Sequence, residues 1–129
     1  MAGELEAIVQ DLFEKFDAGD FKAAGRLMAD DVQGVDEISR RWLRGRAAVD
    51  AYLGQLGSAG LKDIRSEMRD VHESIHGQAG VVTCWLEQDY TLDGKRQHVS
   101  APTTIAFRRD GSDWKLVLFH SVPLPEGGS

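Results

Sequence analysis

The chain has 129 residues, of which 42% are hydrophobic and 28% charged, and a net charge of −6. This is the balance of one globular domain large enough for a sizeable core, and its acidity argues against a nucleic-acid partner, which would want a basic face. Its single cysteine, Cys84, excludes an internal disulfide, and its four histidines show no ligand spacing, so neither a metal nor a cofactor is expected.

Acids at Glu4, Glu6, Asp11 and Glu14 interrupt the first fifteen residues, so neither a signal peptide nor a membrane span is expected there and the cytoplasm is the simplest location. Leu5, Ile8, Val9, Leu12, Phe13 and Phe16 instead make the single apolar stripe of a helix. Gly19 suits the left-handed residue that ends it, and Asp20 can cap a second, short helix with Phe21, Ala24, Leu27 and Met28 inside. Asp30-Asp31 stops that helix, and Val32 to Val35 reads as a short strand. The basic run Arg40-Arg41-Trp42-Leu43-Arg44-Gly45-Arg46 is either a solvated loop or an anion site. Gly45 opens a third helix with Val49, Tyr52, Leu53 and Leu56 on one face, and Gly57-Ser58-Ala59-Gly60 breaks it.

From Leu61 the apolar period changes to two. Ile64, Ser66 and Met68 share a face, whereas Val71, Glu73 and Ile75 have the opposite parity, which a β-bulge near Arg69-Asp70 would reconcile. After a turn at 76–80, strands are expected at 81–92, 95–109 and 114–122, joined at Asp93-Gly94 and at Asp110–Asp113. The domain is expected to span 1–122, with 123–129 a flexible tail.

These turns fix a register. Asp-Gly is a preferred two-residue hairpin turn, so Leu92 faces Lys95, Asp89 faces His98, Trp85 faces Pro102 and Cys84 faces Thr103. The four-residue turn then sets Phe107 opposite Leu116, Ile105 opposite Leu118 and Thr103 opposite His120. In that register the helix-covered face carries Cys84, Leu86, Thr103, Ile105 and His120. The other carries Trp85, Pro102, Thr104 and Phe119. Both faces are apolar and the helices can cover only one, so a homodimer through the outer face is expected.

The segment Ala29-Asp30-Asp31-Val32-Gln33-Gly34-Val35-Asp36, followed by Gly45-Arg46-Ala47-Ala48-Val49, resembles the NTF2-like superfamily, in its ketosteroid-isomerase-like and SnoaL-like branches. The likeness runs from Ile8-Val9-Gln10 through Asp17-Ala18-Gly19-Asp20 to the strand ending at Ser121. It implies an α+β, cystatin/NTF2-like cone: three N-terminal helices packed on a curved, mostly antiparallel sheet, with an apolar cavity between the layers. It does not fix a reaction, because this fold hosts isomerases, cyclases, hydrolases and non-catalytic binders.

Asp36 matches the general-base aspartate of the ketosteroid isomerases, counted back from Gly45. Alternatively it caps a loop or pairs with Arg40, Arg41 or Arg44. The oxyanion-hole partners of those enzymes are missing: Leu12 stands at the tyrosine position, and Thr103, Thr104 and Ile105 where the strand acid belongs. Steroid isomerisation by that mechanism is therefore not expected.

His120 is the second polar candidate, as a proton donor or as a core histidine satisfied by Thr103 or a backbone carbonyl. Phe13, Phe16, Met28, Leu86 and Ile105 are expected to line the cavity with Cys84 and Thr103, and Trp42 and Tyr52 to close its mouth. Cys84 is expected to be a small hydrophobe rather than a nucleophile. Together these residues imply a pocket for a small apolar molecule, with cofactor-free acid–base chemistry by Asp36 and His120. A ligand-binding or dimerisation module without catalysis is the alternative.

Overall fold

The computed structural model describes residues 3–125. Its elements run α1 (Glu4–Asp17), α2 (Phe21–Arg26), β1 (Met28–Asp36), β2 (Leu43–Arg44), α3 (Arg46–Ser58), β3 (Lys62–His76), β4 (Ala79–Leu92), β5 (Lys95–Asp110) and β6 (Asp113–Ser121). The six strands form one sheet in the order β2-β1-β6-β5-β4-β3. All its pairings are antiparallel except β1 with β6, which is parallel. Three helices are present as the sequence implies, but β1 and β2 separate the second from the third.

The apolar stripe of α1 sends Leu5, Val9, Leu12 and Phe13 into the core against the inner sheet face. Leu5 and Val9 are fully buried, which stabilises each by roughly 1.5–3 kcal/mol. Close approach of α1 to the sheet requires glycine at position 80, where a Cβ would collide with Leu5. Asp20 caps α2 by accepting from the Ala23 N–H at 3.1 Å. That helix is shorter than its apolar spacing implies, because Met28 already belongs to β1 and the Leu116 N–H donates to Leu27 O at 3.0 Å. Strand pairing wins over helix continuation at Leu27-Met28.

The hairpin register follows the turn chemistry. Leu92 faces Lys95, Asp89 faces His98, Trp85 faces Pro102 and Cys84 faces Thr103. The bulge expected in β3 is present: the register shifts between Arg69 and His72, and Asp70 takes φ 54°.

The last strand departs from expectation. Phe107 faces Leu116, but Ala106 then faces Leu118, so Val117 is an extra residue. Beyond it Ile105 faces Phe119 and Thr103 faces Ser121. This one-residue bulge reverses the faces of everything that follows. Phe119 and Ser121 turn inward, and His120 turns out to solvent. The placement of His120 inside and Phe119 outside is thereby corrected. The bulge has a clear physical reason: it seats Phe119 edge-on against Phe13, with ring centroids 6.2 Å apart, and spares the core an imidazole.

Residues 123–125 carry no regular structure, and the rest of the expected tail lies outside the described residues. No helix of the described residues is long and apolar enough to cross a membrane.

Candidate functional site

A pocket of about 90 Å³ opens between the helices and the inner sheet face. Leu12, Phe13, Phe16, Met28, Leu86 and Phe119 give it apolar walls, and Asp36, Glu37, Tyr52, Gln88 and Ser121 give it polar groups. The volume is smaller than the roughly 150 Å³ of a sealed cavity that takes benzene, but this pocket is open on one side, so a small ring can enter it without being wholly enclosed.

Asp36 is the last residue of β1, and its side chain starts the turn that follows. Oδ1 accepts from the backbone N–H of Ile38 at 3.0 Å and of Ser39 at 2.8 Å, and from the Tyr52 hydroxyl at 2.7 Å. No such donor reaches Oδ2 among the described residues. Neither Arg40, Arg41 nor Arg44 forms an ion pair with Asp36 there, so capping accounts for its structural part and charge pairing does not.

Glu37 lies next to it on the pocket wall. Burial, and then the neighbouring Asp36 charge, hold its carboxyl above the usual value of 4.5, opposed by hydrogen bonds from its own backbone and from Tyr90. The Tyr90 hydroxyl donates to Glu37 Oε1 at 3.3 Å. Burial and the two carboxylates push both tyrosines upward, so Tyr52 and Tyr90 stay protonated and act as donors. Two adjacent acids, each held by a phenol from a different element, thus share the pocket.

Deeper in the wall, Thr103 donates its only hydroxyl proton to Ala101 O at 3.1 Å. Ser121 must therefore be the donor in the 2.8 Å Ser121–Thr103 contact.

Of the residues singled out from sequence, Asp36, Phe13, Phe16, Met28, Tyr52 and Leu86 come together at this pocket. Five do not. Ile105 is wholly buried in the core, and Thr103 lies behind Ser121. Cys84 is buried too, and burial with the nearby Glu6 charge pushes its thiol up to about 11, consistent with an inert hydrophobe. Trp42 is 43% exposed, with the Arg44 guanidinium 5.5 Å from its ring. His120 stands 6.0 Å from Trp42, ring to ring, on the outside of the sheet. It cannot share a proton with Asp36.

Glu37, Tyr90, Gln88 and Ser121 were missed. Three of them had a signal. Gln88 and Tyr90 share the parity of Leu86 in the β4 alternation, and Glu37 directly follows Asp36. Ser121 had none, because its face depends on the bulge.

The basic run does not build an anion site around the pocket. Arg44 Nε donates to Gln33 Oε1 at 3.1 Å, and Arg46 donates to Met28 O while lying 3.5 Å from Asp50.

A SnoaL-like domain matches residues 5–125 of the chain. The protein belongs to the SnoaL-like family. Solved structures described as NTF2-like share the fold of this SnoaL-like chain. An NTF2-like protein with a cystatin-like fold from Novosphingobium aromaticivorans aligns with TM-score 0.69 and 18% identity, over 93% of this chain and 82% of its own. A Streptomyces avermitilis protein of the NTF2-like family, which carries the name of a dehydratase, aligns with TM-score 0.79 and 24% identity, over 92% and 94%. The CaMKII hub of S. rosetta aligns with TM-score 0.79 and 17% identity, over 96% and 99%. At these identities the likenesses establish the fold alone. No curated protein matches the sequence.

Proposed function

We propose that this SnoaL-like protein binds a small, mostly apolar molecule in the pocket and moves a proton on it without a cofactor. Asp36 Oδ2 is the acceptor and Glu37 the donor, in the role first given to His120. One observation carries this reading: the apolar pocket ends in two adjacent carboxyl groups, and no ion pair engages either one among the described residues. Three donors hold Asp36 Oδ1 and leave Oδ2 without one, whereas burial favours the neutral form of Glu37. An acid and a base side by side is the division of labour that proton transfer needs. Isomerisation, cyclisation, and hydration or dehydration all fit it. The Streptomyces relative's name points toward the last of these.

The test is α-proton exchange into cyclopentanone in D2O, followed by NMR. Wild type should exceed Asp36→Asn by about a hundredfold, the lower range for a positioned base. Equal rates would remove the catalytic role and leave the non-catalytic binder.

Assembly is a second reading with its own support. Trp85, Pro102 and Thr104 lie on the outer sheet face, and Trp42 is exposed beside His120. We propose a homodimer through this face, with Phe119 withdrawn from it. The similarity to a CaMKII hub supports assembly on this fold.

A further inference from the structure

Gln88 lines the pocket, and its side chain is oriented from outside it. It sits on β4 between Leu86 of the apolar wall and Tyr90, which holds Glu37, and it is only 9% exposed. A chain of three hydrogen bonds fixes its amide. Asp17, the last residue of α1, accepts from the Ser66 backbone N–H at 2.8 Å and from the Ser66 hydroxyl at 2.6 Å. A hydroxyl has one proton, and Ser66 gives it to Asp17. Toward Gln88, Ser66 Oγ can therefore only accept, and it does so from Nε2 at 3.0 Å. The flip of the amide, often a free choice, is settled here by counting protons. Nitrogen faces Ser66, so the carbonyl oxygen faces elsewhere.

That oxygen, Oε1, has no hydrogen-bond partner among the described residues. Within this nearly buried residue the oxygen is not fully enclosed, so it stays accessible and free to accept. Because Gln88 lines the pocket, a donor on a bound molecule can satisfy it.

We propose that Gln88 is a specificity residue whose carbonyl accepts a hydrogen bond from a ligand hydroxyl, with the Asp17–Ser66 pair as its positioning element. The pocket then takes a compact apolar alcohol, or a molecule combining a hydroxyl with the group on which the acids act, in preference to its ketone or hydrocarbon counterpart. This rests on the reading of the pocket as a small-molecule site.

The measurement is an NMR titration with cyclopentanol and cyclopentanone, read at Phe13, Leu86 and Phe119. Wild type should bind the alcohol about tenfold more tightly, the yield of one well-made hydrogen bond. Gln88→Leu and Gln88→Met should bring the two affinities together without weakening the ketone. Ser66→Ala frees the amide to rotate and should lower the ratio, although Ser66 itself does not line the pocket. Asp36→Asn should keep the preference, which separates Gln88 from the Asp36 carboxylate. A preference that survives in both Gln88 variants, or that disappears in Asp36→Asn, overturns the assignment while leaving the pocket as a binding site. Failure of both probes to bind saturably overturns the pocket reading and this one with it.

Discussion

The fold engages one oxygen of the Asp36 carboxylate. Oδ1 ends β1 by accepting two backbone N–H groups and the Tyr52 hydroxyl, while Oδ2 has no such donor among the described residues, which is why the proposed chemistry is assigned to it. Glu37 carries the pH dependence of the site. Its raised proton affinity means the folded chain binds a proton that the unfolded chain releases near the ordinary value of 4.5. Stability contributed by this group is therefore lost as pH rises from about 4.5 through the folded value. Glu37→Gln removes that loss. Its melting temperature should match wild type below pH 4 and pull ahead as pH rises to 8; a constant gap would mean that folding does not raise the proton affinity of Glu37. The same titration sets proton donation, which should fade with rising pH. Asp36 was legible because it sits in a sequence pattern, whereas Glu37 had only its place beside Asp36 to mark it, and burial is what sets it apart from an ordinary surface acid.

Strands explain both the accuracy and the main error of the sequence reading. Asp93-Gly94 imposes one register on its hairpin, and the partners follow for the length of β4 and β5. The β3 bulge was visible because the apolar parity changes there, from Ile64 and Met68 to Val71 and Ile75. In β6 the apolar residues Leu116, Val117, Leu118 and Phe119 are consecutive, so parity carries no information. Packing decides, and it selects the register with Phe119 against Phe13. Deleting Val117 would remove the bulge and leave Phe119 opposite Ile105, so the packing is tested at Phe119 itself. Phe119→Ala should cost about 3 kcal/mol in chemical denaturation, from the cavity left beside Phe13. A loss below about 1 kcal/mol would show that this contact does not select the register.

Over the whole molecule, the helices cover one face of the sheet and leave Trp85, Pro102 and Thr104 on the other. A stable dimer buries roughly 1,200–2,000 Å² in total, which a face of this kind can supply. Sedimentation at micromolar concentration should give a dimer for wild type and a monomer for Trp85→Arg, with helical and strand content unchanged. A wild-type monomer would refute the interface. The pocket lies on the opposite face, so Trp85→Arg should leave cyclopentanol binding intact.

Alternation, turn chemistry and helix stripes are local signals, and they determined the α+β architecture, the hairpin register and the β3 bulge, while the family resemblance singled out Asp36. The end of β6 was decided only by tertiary packing, since a run of apolar residues has two nearly equivalent registers until a neighbour such as Phe13 selects one. The polar set of the pocket was decided the same way. A carboxyl, a phenol and an amide acquire their roles from burial and from partners far away in sequence: Tyr52 for Asp36, Tyr90 for Glu37, and Asp17 through Ser66 for Gln88.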